Sequence, residues 1–202
     1  MAYIGKVPTA VPLTSADIQD GTIALADLSA TGTKDSTTFL RGDNTFASAG
    51  GTNTPSFEAF LTADQSYTDN VETKVQFNSE VFDSDGCYDN STNYRFTPTT
   101  AGKYYVYAQV VTDVTDLTNK LYTAKISIYK NGSTYKAVDN MPDYSSSSGW
   151  DILTQYVFAT VVMNGSSDYL EIYAKANGDQ NGNFRGNATL PYTNFGAYKI
   201  IE

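Results

Sequence analysis

Aromatic residues are spread so unevenly along this chain that it must contain two physically different parts. Of its 27 aromatics (16 Tyr, 10 Phe and 1 Trp), only Tyr3, Phe39 and Phe46 fall within the first 53 residues, where an even spread would place about seven. The other 24 lie between Phe57 and Tyr198. Aromatic side chains offer the largest apolar areas that a core can bury. A core-building domain is therefore expected over residues 54–202, preceded by a different kind of segment over residues 1–53. That first segment is rich in Thr, Ser, Asp, Ala and Gly, with turn signals at Asp20-Gly21, Thr31-Gly32 and Gly42-Asp43-Asn44. It has too little apolar surface to fold alone and is expected to be extended, with little secondary structure, and ordered by packing against other copies of itself. The stretch Ser48-Ala49-Gly50-Gly51-Thr52-Asn53-Thr54 reads as a joint.

From Pro55 onward the pattern is one short strand after another, with Gly, Asn, Asp and Ser between them and no 3.6-residue periodicity of helix length. The expected strands are 56–62, 74–78, 94–97, 103–112, 121–130, 134–138, 151–163, 169–176 and 192–201. In the Lys103 segment, Tyr104, Val106, Ala108 and Val110 share one face, and Tyr105, Tyr107 and Gln109 the other. In the next strand Ala124, Ile126 and Ile128 oppose Lys125, Ser127 and Tyr129. Asn131-Gly132 between two strands is a hairpin signal, because both residues tolerate positive φ. So many short strands in one domain imply an antiparallel sandwich or a jelly roll, and periodicity alone does not choose between them.

Composition then removes whole classes of chemistry. The chain has no histidine and a single cysteine, Cys87, so Ser-His-Asp and Cys-His nucleophiles and zinc sites of the usual ligand sets are excluded, as is an intrachain disulfide. With 13 basic against 22 acidic residues and a net charge of −9, nucleic acid and anionic membranes are not expected partners. Neither membrane insertion nor a signal peptide is expected, since no run approaches about 18 apolar residues and residues 1–16 carry no continuous apolar stretch.

Motifs in the second part resemble the C1q-like globular domain of the C1q/TNF superfamily. They are Phe57-Glu58-Ala59-Phe60, Val75-x-Phe77-Asn78, Tyr88-Asp89, Phe96-Thr97-x-x-x-Ala101-Gly102-x-Tyr104-x-Val106, Ile126-x-Ile128-Tyr129-Lys130-Asn131-Gly132 and Phe195-Gly196-Ala197-Tyr198-Lys199-Ile200-Ile201. The family's cysteine in the central signature is missing, and Val106 stands where Phe is usual. The resemblance implies an all-β, ten-strand antiparallel jelly roll that assembles as a homotrimer, with Tyr104, Tyr122 and Tyr198 in the core or on the trimer axis.

The first part has its own likeness. Tyr3-Ile4-Gly5-x-x-Pro8, Ile18-x-Asp20-Gly21-Thr22-Ile23-x-x-x-Asp27-Leu28 and Phe39-Leu40-Arg41-Gly42-Asp43-Asn44-Thr45-Phe46 resemble segments recurrent in bacteriophage tail fibres and virion appendages. This implies a structural virion protein, assembled in the host cytoplasm, that attaches to another virion protein through Tyr3, Ile4 and Pro8. The head would then bind a host surface glycan or protein. The alternatives are a capsid decoration or head fibre, and a bacterial adhesin. No enzymatic activity is expected, because no carboxylate pair sits in a context that would raise one pKa.

Three kinds of local site remain. Asp83-Ser84-Asp85-Gly86 with Asp89 is oxygen-rich in the manner of a calcium loop, but its Gly is misplaced for an EF-hand and no Glu closes it. A solvated turn is the plainer expectation, and no cofactor is expected besides that possible calcium. Tyr144 and Trp150 flank the 145–149 loop beside Asp143, and aromatic faces with nearby carboxylates suit a sugar ring. The plainer expectation for Trp150 is a core position at the start of a strand. Arg41-Gly42-Asp43 reads as a turn rather than a receptor tripeptide.

Overall fold

The alternation in the Lys103 segment becomes the longest strand of the computed structural model, which describes residues 29–48, 50–51, 53–114, 120–140 and 150–201. The chain divides into two units, Met1–Gly51 and Thr52–Glu202. In the first, β1 (Thr38–Leu40) pairs antiparallel with β2 (Phe46–Ser48), so the segment expected to be extended carries one short hairpin. Asn44 takes a φ of 63° in its turn, and the Asp43 carboxylate accepts the Thr45 N–H at 3.1 Å and hydroxyl at 2.6 Å. Turn formation accounts for Arg41-Gly42-Asp43.

The second unit contains β3 (Ser56–Phe60), β4 (Gln65–Tyr67), β5 (Thr73–Lys74), β6 (Ser79–Asp83), β7 (Tyr88–Asp89), β8 (Arg95–Phe96) and β9 (Gly102–Val114). It continues through β10 (Leu121–Lys130), β11 (Ser133–Asn140), β12 (Ile152–Met163), β13 (Leu170–Gly178), β14 (Gly182–Phe184) and β15 (Asn194–Lys199). One sheet runs β11-β10-β13-β8-β7, with β5 also on β13, and the other runs β4-β14-β9-β15-β3-β6. On the opposite edge of β9, β12 pairs in unbroken register from Gly102↔Met163 to Asp113↔Ile152. Asn131 and Gly132 take φ values of 52° and 77° and turn β10 into β11, as the sequence predicts.

The core lies between the two sheets. Phe57 stacks on Tyr88 and Phe96 at ring separations of 4.7 and 4.6 Å and meets the edge of Phe195 at 4.9 Å. Tyr104, Val106, Ala108 and Val110 of β9 face this cluster and are buried, as are Ile126 and Ile128 of β10. Buried tyrosines keep their hydroxyls bonded, Tyr88 to the Phe77 carbonyl at 3.1 Å and Tyr104 to that of Thr100 at 2.7 Å.

Residues 74–78 depart from the strand expected there. Val75 and Phe77 are both buried, which explains the two-residue period, yet the ladder stops at Lys74. The Gln65 side-chain carbonyl takes the Gln76 N–H at 2.8 Å, and the Asn78 side chain accepts the Thr62 N–H at 3.0 Å, so side chains satisfy backbone groups that a neighbouring strand would otherwise pair. The chain then crosses to the other sheet, where β6, a strand the sequence did not suggest, pairs with β3. Outside the β10–β13 face, Lys74 crosses to Glu171 at 2.5 Å, and Glu171 is only 5% exposed. Glu171→Gln leaves the Lys74 ammonium without its carboxylate, and the expected loss is about 2–3 kcal/mol of unfolding free energy, read from urea titrations. A change below about 0.5 kcal/mol, the scale of a surface substitution, would contradict this.

Candidate functional site

Strand β12 carries apolar side chains on both of its faces. Val157, Val161 and Met163 point into the core. Between them, Tyr156, Phe158 and Val162 point outward and are 56, 57 and 62% exposed. The register carries this face across the sheet, with Phe158 opposite Tyr107 and Thr160 opposite Tyr105, then Tyr105 opposite Tyr198 and Tyr107 opposite Gly196. The Tyr105 ring lies 5.5 Å from Tyr198 and 6.3 Å from Tyr107. The result is a contiguous aromatic face, which marks an association surface more often than scattered exposed residues do.

Two features fix its shape. At Gly196 a Cβ would come within 2.4 Å of the Tyr107 ring, so only glycine lets that ring lie flat over β15. The Tyr107 hydroxyl donates to Glu58 Oε2 at 2.8 Å, and burial, together with the carboxylate, pushes the phenol pKa far up. The ring is held neutral and in place. The free edge of β12 is closed by side chains: Tyr135 donates to the Thr160 carbonyl at 3.0 Å and Lys130 to that of Val162 at 2.7 Å, while the Lys136 ammonium sits 5.2 Å from the Phe158 ring centre. At this end of β12 the side chains stand where an added strand would pair, and the exposed rings leave association to side-chain packing.

Tyr104 lies in the core, one of the two places the C1q-like resemblance implied, while Tyr198 lies on this face and is 39% exposed. Tyr122 is half-buried and its hydroxyl bonds to Asp179. Phe158, Tyr156 and Val162 were not singled out in the sequence, although apolar residues on both faces of one strand are the signal that neither face is wet.

The oxygen-rich loop does not gather its carboxylates. Asp83 accepts the Tyr88 N–H at 2.8 Å and Asp85 the Ser84 hydroxyl at 2.8 Å. Asp89 accepts the N–H groups of Thr92, Ser91 and Asn93, which hold its pKa well below the usual carboxylate range. Each carboxylate serves its own turn, and among the described residues no group of three or more metal-ligating side chains forms. Trp150 does not occupy the expected core position: its backbone bridges Leu121, but the residue is 54% exposed. Tyr144 and Asp143, like Tyr3, Ile4 and Pro8, lie outside the described residues.

No family model matches the sequence, and no curated protein matches it. Among solved structures, Eiger TNF from S. frugiperda is similar with a TM-score of 0.53 at 10% identity, over 72% of this chain and 91% of that one. Murine APRIL at pH 5.0 gives 0.48 at 14% identity, over 72% and 99%. The first likeness is one of fold, and it resolves the choice that periodicity left open: the second unit is a jelly roll of the TNF type.

Proposed function

We propose that this chain is a homotrimeric bacteriophage virion appendage whose jelly-roll head attaches to the host cell surface. The observation that carries this reading is the aromatic face built by exposed Tyr156, Phe158 and Tyr198 with half-buried Tyr105 and Tyr107. A lone head would leave this apolar area in water, whereas three heads meeting on it bury it about a common axis. The motifs of residues 1–53 supply the virion part of the reading, with that segment as shaft and anchor to another virion protein. Binding is adhesive and without chemistry: three copies of a weak surface site gain strength by acting together.

The purified head is expected to sediment as a trimer at micromolar concentration, and a monomer there would overturn the reading. Free head is further expected to block adsorption of intact particles. Failure to block at saturation would favour a capsid decoration or head fibre over an attachment fibre.

A further inference from the structure

Strands β7 and β8 form a short ladder in which Asp89 stands opposite Arg95. Cross-strand neighbours of opposite charge ordinarily pair, but these do not. The Asp89 carboxylate turns to the loop that follows it, taking three backbone N–H groups and the Asn93 side-chain amide at 2.7 Å. Arg95 instead lies over the Tyr169 ring, its guanidinium carbon 4.6 Å from the ring centre. Among the described residues that guanidinium has no carboxylate within 4 Å and donates no hydrogen bond. It lines a recess of about 280 Å³ together with Gly86, Asp89, Asn93 and Thr97.

We infer that this recess binds the carboxylate of a single acidic sugar of the uronic or sialic acid type, with Arg95 as its anchor. A guanidinium stacked on a ring is fixed in orientation before a ligand arrives, and its fork of N–H donors matches a carboxylate with two parallel bonds. The unpaired guanidinium attracts an anion, and the carboxylates around it limit how much charge that anion can carry. Asp83, Asp85 and Asp89 lie on the loop and strand that lead into the recess, so a singly charged carboxylate meets less repulsion than a doubly charged phosphate. Size and lining select a sugar. The recess lies just under the range of drug-sized pockets, and among its lining residues Thr97 and Asn93 carry a hydroxyl and an amide of the kind that ring hydroxyls bond to. The Asn93 backbone is also tied down, since its main-chain carbonyl accepts the Lys74 ammonium at 3.2 Å. The inference names a ligand class for the proposed attachment head and rests on that reading only for its biological setting.

The test is titration of the purified full chain with galacturonic acid and N-acetylneuraminic acid, followed by saturation-transfer NMR, with galactose and inorganic sulfate as comparison ligands. At least one acidic sugar is expected to bind, galactose and sulfate to bind at least about tenfold more weakly, and Arg95→Lys to weaken the sugar by at least about tenfold, since it keeps the charge and loses the fork. Thr97→Val, which leaves the guanidinium stack untouched, should weaken the sugar by a smaller factor. No binding of either acid, equal binding of sulfate, or wild-type affinity in a folded Arg95→Lys protein would overturn the assignment. Sedimentation of the same samples separates this failure from that of the trimer: a trimeric protein that ignores acidic sugars removes the recess and leaves the appendage reading standing.

Discussion

Phe57→Ala is expected to lower the unfolding free energy of the head by about 3–5 kcal/mol, a large part of the 5–15 kcal/mol that a domain of this size has. Phe57 is the point at which both sheets meet: it sits on β3 of one sheet and stacks on Tyr88 of β7 and Phe96 of β8 in the other. Truncation removes its transfer free energy, opens a cavity between rings that backbone pairing holds apart, and ends two stacked contacts of about 0.5–1.5 kcal/mol each. Urea unfolding followed by tyrosine fluorescence measures the change. Phe57→Leu should cost less, because it keeps most of the volume. A loss under about 1 kcal/mol for Phe57→Ala would mean that the two sheets are held by something other than this cluster.

The second large effect concerns assembly rather than folding. Phe158→Asp is expected to weaken trimerisation by at least about tenfold, because a carboxylate in an apolar contact must be desolvated and the Lys136 ammonium beside it offsets that cost only in part. The side chain is 57% exposed in the single chain, so the fold itself should be little disturbed beyond the loss of its contact with Lys136, about 0.5–1 kcal/mol. Sedimentation equilibrium reads the shift toward monomer, and an unchanged urea midpoint under dissociating conditions shows that the head is still folded. Val71→Asp makes the matching change at an apolar residue 49% exposed in the turn before β5, away from the aromatic face, and should leave the trimer intact. A Phe158→Asp protein that remains trimeric would move the contact to another surface.

Much of this architecture can be read from the chain. The alternation through β9 and β10 gives both strands and their inward faces, and Asn131-Gly132 gives the turn that joins β10 to β11. What stays hidden has a common physical cause: side chains taking roles that sequence patterns assign to backbone, or the reverse. Gln65 and Asn78 stand in for a pairing strand, so residues 75–78 keep strand burial without a ladder. Asp89 leaves its cross-strand partner for its own loop, which frees Arg95, and no spacing of charges predicts that choice. For β9 the period of two separates Tyr104 from Tyr105, but tyrosine suits core and interface alike, and only the fold tells which ring is enclosed. Trp150 shows the opposite limit, since a single large apolar residue at a strand end gives no pattern at all.

The partly covered edge of β12 also bears on how an assembly through this part of the chain can grow. A jelly roll with an open edge strand offers backbone groups to whatever extended chain comes near, and such growth has no natural end. Here Lys130 and Tyr135 already occupy the carbonyls of Val162 and Thr160 that point away from β9, and Lys136 places a positive charge beside the same edge. What remains available beside this edge is a face of rings, which a rotation can close on itself. An assembly that closes through this face has a fixed number of members, so growth by that contact ends of itself.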